Sequence, residues 1–486
     1  MILRNARVVC LTTGRAGAPT DLEVVDGVLV APGAGTGGPV VDLAGRFVLP
    51  GLWDQHVHLG QWAIHRHRWQ VPPTRSADET AALVAQEVAG LPGGEVFVGV
   101  GYMDANWPEP PTAAALDRHV PEVPVVLVSA DMHSVWLNTA GLRHLGVGPA
   151  TGSGIEDGTG SRIVGRLVEQ DAFDVELAIS QVPTATLDEW VTDAAREAAT
   201  LGLVGITDVE CARGDLDWTR RMHAGFDLLR VRASIWSQHL DDAIADGFRT
   251  GRRLSPLLEC GPLKVIVDGS LGSRTAWLDD PYQGTDSRGV LSVPAAELTR
   301  LLAMASEHGI EVALHAIGDA AVHLTLDTMQ ATGAMGRVEH ACLVRPGDVE
   351  RMARLRVGAS MQPAHLGLSP AARTASLGAR AARVQPLREF ADAGVELFLG
   401  SDAPVVPLSP WAAVAEAVTA EHPSQRLTLS EALLASTNGV HTLQPGSPAD
   451  LMVLDENPFD VDVNRLAGFT SALTLVAGAT THPSRG

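Results

Sequence analysis

The chemistry-bearing residues come first. His56 and His58 end the apolar run Leu52-Trp53-Asp54-Gln55-His56-Val57-His58. On a strand, side chains at i and i+2 point to the same face, so two imidazoles leave one strand end together and form half of a metal site. A lone His-x-His says little, and His65-Arg66-His67 repeats the spacing. That second pair lacks a preceding apolar strand and sits among arginines, so it reads as a solvated loop. Further donors fall where other apolar runs stop: His315 after Val312-Ala313-Leu314, His340 after Val338-Glu339, and Asp402 after Leu397-Phe398-Leu399-Gly400-Ser401. Lys264 stands in Leu263-Lys264-Val265-Ile266-Val267-Asp268 and is the single lysine among 36 Lys plus Arg. An arginine-rich composition explains why lysine is scarce, but not why this one remains.

Four neutral imidazoles and a carboxylate suit a borderline divalent ion, with Zn²⁺ expected and one or two ions per chain. A free ammonium beside such an ion would repel it. Lysine can lose its proton and add carbon dioxide, which gives an anionic carbamate, whereas arginine keeps its charge. Water on such an ion approaches a pKa of about 7, supplying hydroxide at neutral pH. Asp402 is then the proton carrier of the reaction.

Those donors need a scaffold that gathers strand ends. Apolar runs at 52–58, 204–209, 231–236, 263–268, 310–315, 337–340, 357–362 and 395–400 alternate with helical stretches such as 187–201, 295–308, 320–332, 346–355 and 385–393. That alternation is the pattern of an α/β fold, and eight strand–helix repeats predict a (β/α)₈ TIM barrel spanning 51–442. A doubly wound open sheet is the alternative. Short β-like runs in 1–50 and 443–486 predict a small composite β-sandwich built from both termini. About 145 residues separate the first two barrel strands. The excess, 59–185, carries strand-like runs at 95–100 and 125–129 and is expected to cap the active site.

The whole composition narrows the partners. The chain has 486 residues, 45% of them hydrophobic and 19% charged, with a formal net charge of −21. Nucleic acid and anionic membrane surfaces are therefore unexpected partners. There is no apolar run long enough to span a bilayer, and no h-region of a signal peptide near residue 1. Four scattered cysteines form no metal or disulfide framework. The expectation is a cytoplasmic enzyme acting on a small molecule, with a homo-oligomer left open. Gly269-Ser270-Leu271-Gly272-Ser273-Arg274 lacks the Gly-Lys-Ser/Thr of a phosphate-binding loop.

Several stretches together resemble a known family. Pro50-Gly51-Leu52-Trp53-Asp54-Gln55-His56-Val57-His58 is similar to the first-strand signature of the amidohydrolase superfamily. The run from Leu263 to Ala276, with His315-Ala316-Ile317-Gly318-Asp319, Arg337-Val338-Glu339-His340-Ala341, Met361-Gln362-Pro363 and Gly400-Ser401-Asp402-Ala403-Pro404, resembles its YtcJ-like branch. That branch includes N-substituted formamide deformylases. The resemblance spans essentially the whole chain. It implies a metal-dependent hydrolase with His56, His58, Lys264, His315, His340 and Asp402 as ligands and Lys264 carboxylated. Glu169 matches a recurring glutamate of the branch and is an alternative ligand. Weaker substrate-binding candidates are Tyr102, Asp104, His133, Asn138, Asp268, Arg274 and Gln362. The expected reaction is hydrolysis of a non-peptide C–N bond in an amide, formamide or cyclic amide. An esterase, deaminase, isomerase or lyase on the same site, or a silent binding protein, is the alternative. The chain departs from the pattern at Thr437-Asn438-Gly439-Val440-His441, a trimmed segment, and is shorter than many relatives.

Overall fold

A computed structural model describes residues 1–31, 33, 37–89, 95–104, 107–147, 165–365 and 369–483. Eight parallel strands lie side by side in chain order: Leu52–Val57, Leu203–Asp208, Arg230–Trp236, Leu258–Ile266, Val312–Ala316, Gly336–His340, Gly358–Met361 and Leu397–Leu399. A doubly wound sheet would reverse its strand order at a switch point, and this one does not. Backbone hydrogen bonds from Asp402 N to His56 O (2.7 Å) and from His58 N to Ala403 O (2.9 Å) join the eighth strand's exit to the first strand. The ring is thus drawn together at the residues expected to do chemistry. Gly400 permits this approach, because a Cβ there would lie 2.5 Å from the backbone nitrogen of His56.

The fourth strand differs from expectation. It begins at Leu258, so Lys264 lies third from its C-terminal end rather than near its start. Gly261 and Pro262 interrupt the apolar run in the sequence, yet the extended backbone continues through both. The helices Thr184–Thr200, Ala295–Glu307, Asp319–Thr332, Pro346–Leu355 and Leu387–Ala393 fall where the apolar periodicity put them. Their apolar stripes and the strands' outward residues share one core, which includes Val191, Leu298, Leu326, Met352 and Phe390.

Strands from both chain ends share a separate sheet. Phe47–Pro50 pairs antiparallel with Leu451–Leu454 and runs through Gly51 directly into the first barrel strand. Ile2–Val8 bridges the two halves, pairing with Val40–Asp42 through Ile2–Arg4 and with Phe47–Pro50 through Arg7–Val8. Leu3, Leu29, Val48, Leu451 and Leu475 pack into one cluster drawn from both chain ends.

The long connection after the first barrel strand is only partly a separate body. Leu59–His65 is helical, and its Leu59 and Ala63 belong to the barrel core. A five-stranded sheet then comprises Trp69–Gln70, Phe97–Tyr102, Val125–Ser129, Ser134–Leu137 and Arg166–Val168. Residues 90–94, 105–106 and 148–164 of the expected insertion lie outside the described residues. The helix Gln170–Ile179 follows and returns over the barrel mouth, where Phe173, Glu176 and Leu177 line a cavity shared with His56 and Asp402. Among the described residues, no helix is long and apolar enough to cross a membrane.

Candidate metal centre

The first strand delivers His56 fully buried and His58 at its exit. Nε2 of His56 lies 3.2 Å, and Nε2 of His58 3.6 Å, from Oδ1 of Asp402. Donor atoms of these three residues fall within 4.8 Å of one another. His340 Nδ1 is 4.0 Å from Oδ2 of Asp402, and the His315 and His340 ring centroids are 4.5 Å apart. Lys264 is buried, with Nζ 3.2 Å from Nε2 of His56. All six residues expected as ligands line one cavity of about 430 Å³.

Acceptors therefore face one another in this cluster. The proton on Nδ1 of His56 is directed at Glu339 Oε2, 2.6 Å away, which turns Nε2 toward a carboxylate oxygen of Asp402. Among the described residues, Nδ1 of His58 is buried without a partner. Burial pushes His58 down to about 3 and holds His315 and His340 well below the ordinary imidazole range. Neutral imidazoles are the metal-binding form. Burial and Lys264 also oppose charge on His56, but Glu339 and Asp402 outweigh them and raise it. A divalent cation would take the place of the proton that Glu339 and Asp402 favour on Nε2 of His56. Burial works against charge on Asp402 too, yet His56, His340 and His365 hold its carboxyl well below the usual range. Burial also lowers the Lys264 amine. These residues fit a divalent ion by donor chemistry.

Two contributors carry no signal in the strand pattern. Glu339 immediately precedes His340, and alternation should point the two to opposite faces. His340 adopts a φ of +72°, which breaks the alternation and lets both side chains serve the site. His365 lies beyond the seventh strand, with Nε2 3.7 Å from Oδ2 of Asp402, on a loop where no periodicity marks it.

The weaker candidates separate clearly. His133 lines the cavity, its Nδ1 3.1 Å from Oε2 of Glu169. Glu169 is occupied by that bond and by the Thr275 hydroxyl, an arrangement that ties the insertion to the loop after the fourth strand. Asp268 accepts backbone N–H bonds from Trp277, Ile317 and Gly318 at 2.8–2.9 Å, so it orders loops beside His315. Asn138 caps the helix Thr139–His144 and bonds Val120 and Val123. Tyr102 packs against Trp107 and Trp136 and bonds Ser134, while Asp104 pairs with Arg166. Gln362 is buried against Ser360, and Arg274 is exposed. Tyr102, Asp104, Asn138, Glu169, Asp268, Arg274 and Gln362 are not brought to the cavity lining. The second His-x-His pair is not a plain solvated loop: His65 closes a helix half-buried, and His67 stacks on Trp190 at 3.9 Å.

Barrel and histidine cluster together define a metal-dependent hydrolase class, and the chain belongs to the amidohydrolase family, whose model matches residues 39–482. Membership implies a divalent metal ion and a small-molecule substrate. The chain is 28% identical to Protein LONG AFTER FAR-RED 3 of Arabidopsis thaliana, over 92% of this chain and 84% of that protein. It is 26% identical to the N-substituted formamide deformylase of Arthrobacter pascens, over 92% of this chain and 90% of that one. An uncharacterized metal-dependent hydrolase from Pyrococcus horikoshii OT3 shares the fold with a TM-score of 0.77 and 24% identity, covering 95% of this chain and 99% of its own.

Proposed function

We propose that this chain hydrolyses a non-peptide C–N bond of a small molecule, an amide, formamide or cyclic amide, in the cytoplasm. The observation that carries the reading is the convergence of His56 and His58 on Asp402, at 3.2 and 3.6 Å, in the wall of a cavity of small-molecule size. The similarity to a formamide deformylase supports this bond type. Water adds across the bond, so R–CO–NH–R′ and H₂O give R–COOH and H₂N–R′.

His56, His58, His315 and His340 would hold the ion with neutral nitrogens, and Asp402 would hold it with a carboxylate oxygen. Zn²⁺, one or two per chain, is our reading of its identity; bound there, a divalent ion polarises a carbonyl and acidifies water. Lys264 would contribute once its amine adds carbon dioxide, R–NH₂ + CO₂ → R–NH–COO⁻ + H⁺. Its burial and lowered basicity favour the neutral amine that this addition needs. Glu169 is the weaker alternative, since both its oxygens already accept bonds from the His133, Thr275 and Ser273 side chains. Asp402 accepts a proton from attacking water at its carboxylate and returns it to the leaving nitrogen. Glu339 keeps His56 oriented throughout.

Residues 51–442 are read as the barrel unit and 59–185 as its cap, which the helix Gln170–Ile179 in the cavity wall supports. Residues 1–50 with 443–486 are read as a composite β-sandwich, supported by their common apolar core. The test is a product screen of metal-loaded protein against formamides, acetamides, cyclic amides and matched esters. Release of amine and acid from an amide is expected. Turnover of esters alone, ring deamination or isomerisation would replace this reading.

A further inference from the structure

We propose that Glu176 recognises a protonated amine on the substrate, so that the preferred substrates are amides carrying an ammonium group away from the scissile bond. The proposal rests on the reading of the metal centre as an amide hydrolase and names the substrate class of that same site.

Glu176 stands apart from the other carboxylates of the cavity wall. Asp131 accepts from the hydroxyls of Ser129 (2.6 Å) and Ser270 (2.7 Å). Asp208 accepts from Nε1 of Trp218 at 2.5 Å and from Leu59 N at 3.2 Å. Glu210 accepts from the backbone of Gly60 and Gln61 at the start of the helix Leu59–His65. Asp174 accepts from Gln170 at 2.8 Å. Among the described residues nothing donates to the Glu176 carboxylate, and its Oε1 is closed off from solvent without a partner. A carboxylate with one oxygen shut off from solvent and no donor is costly, and a ligand cation is a partner that relieves the cost.

The setting suits an alkylammonium. Phe173 and Leu177 stand one turn apart on the same helix and line the cavity with Glu176, so apolar surface lies beside its carboxylate. A methylene stem would lie against these side chains while its charged end reaches the carboxylate. Two basic groups act on Glu176 through their charge, Arg68 and His133, and neither donates to its carboxylate. Arg68 donates to the carbonyl of Ile179 at 2.5 Å, and Nδ1 of His133 is bonded to Glu169. Asp131 adds negative charge on the same side. Burial pushes the Glu176 carboxyl up to about 8, and His133 and Arg68 oppose that rise without cancelling it. A ligand ammonium would restore its ionised form, and a ligand carboxylate would be repelled.

Hydrolysis-proof probes test this directly. N-(5-aminopentyl)methanesulfonamide, its longer and shorter homologues, and the uncharged N-pentylmethanesulfonamide would be titrated calorimetrically into the metal-loaded protein and its Glu176→Gln variant. We expect at least one ammonium probe to bind wild type about tenfold more tightly than its uncharged counterpart. That preference should fall to within about twofold in Glu176→Gln, with binding of the uncharged probe unchanged. Absence of the preference in wild type, its survival in the variant, or failure of every ammonium homologue to bind would overturn the proposal. Glu176→Asp keeps the charge on a shorter stem and should retain a preference displaced toward longer homologues. Binding is read without turnover, so a protein that hydrolyses no amide would defeat the proposed reaction while leaving this result separately readable.

Discussion

Nδ1 of His56 lies 2.6 Å from Oε2 of Glu339, and both side chains are almost completely shut away from solvent. Arg337 completes the arrangement, donating at 2.6 Å to Oε1 of Glu339 and at 2.6 Å to the carbonyl of Gln55. Glu339 thus fixes the tautomer of His56 and aims Nε2 at Asp402. Partners of this kind typically account for 10–100-fold in metal affinity. Glu339→Gln should weaken metal binding by about that factor, measured by competition with a chromogenic chelator. An unchanged affinity would show that His56 needs no such support.

Lys264 invites a charge-conserving substitution that conserves nothing chemically. Lys264→Arg should remain folded yet bind less metal and lose turnover, because guanidinium cannot add carbon dioxide. Incubation with ¹³C-bicarbonate should give a carbamate carbon signal in wild type that the variant lacks. An active arginine variant would remove the carbamate from the account.

Asp402→Asn keeps the size of the side chain and removes its basicity. The variant is expected to retain much of its metal while kcat falls by about 10²–10⁴-fold. Steady-state rates beside metal analysis check both halves of that statement, and robust turnover would remove Asp402 as proton carrier.

What the sequence made legible follows from periodicity. His56, His58, His315, His340 and Asp402 terminate apolar runs that are barrel strands, so their context at strand ends, not their spacing, placed them at one end of the fold. Lys264 was legible by its singularity, but its place on the strand was not, since Gly261-Pro262 conceals that the strand begins at Leu258. Glu339 was hidden because positive φ at His340 defeats strand alternation. His365 was hidden because loops have no period. Tyr102 and Asn138 looked like binding residues and serve the insertion's own packing, since an aromatic hydroxyl or an amide is equally useful for satisfying buried backbone and side-chain groups.

The barrel's support carries a pH signature of its own. Glu431 accepts from Arg388 at 2.8 and 2.9 Å and completes a capping box with Thr428 on the helix Leu429–Ser436. Arg388 chiefly lowers its carboxyl, to about 2. A depressed folded-state value means the contribution is fully present above the unfolded value of 4.5 and is lost as pH falls toward 2. The denaturation midpoints of wild type and Glu431→Gln should therefore differ near neutrality and converge through that window. A difference that persists at pH 2 would contradict this assignment.

His56, His58 and Asp402, with Lys264, His315 and His340, are expected to hold a divalent ion. Elemental analysis of protein purified without chelator or nickel resin tests this most directly, with the His56→Ala variant run alongside. One or two divalent ions per wild-type chain and a clear loss in the variant are expected. No bound ion in wild type, even after reconstitution with zinc and bicarbonate, would contradict this expectation.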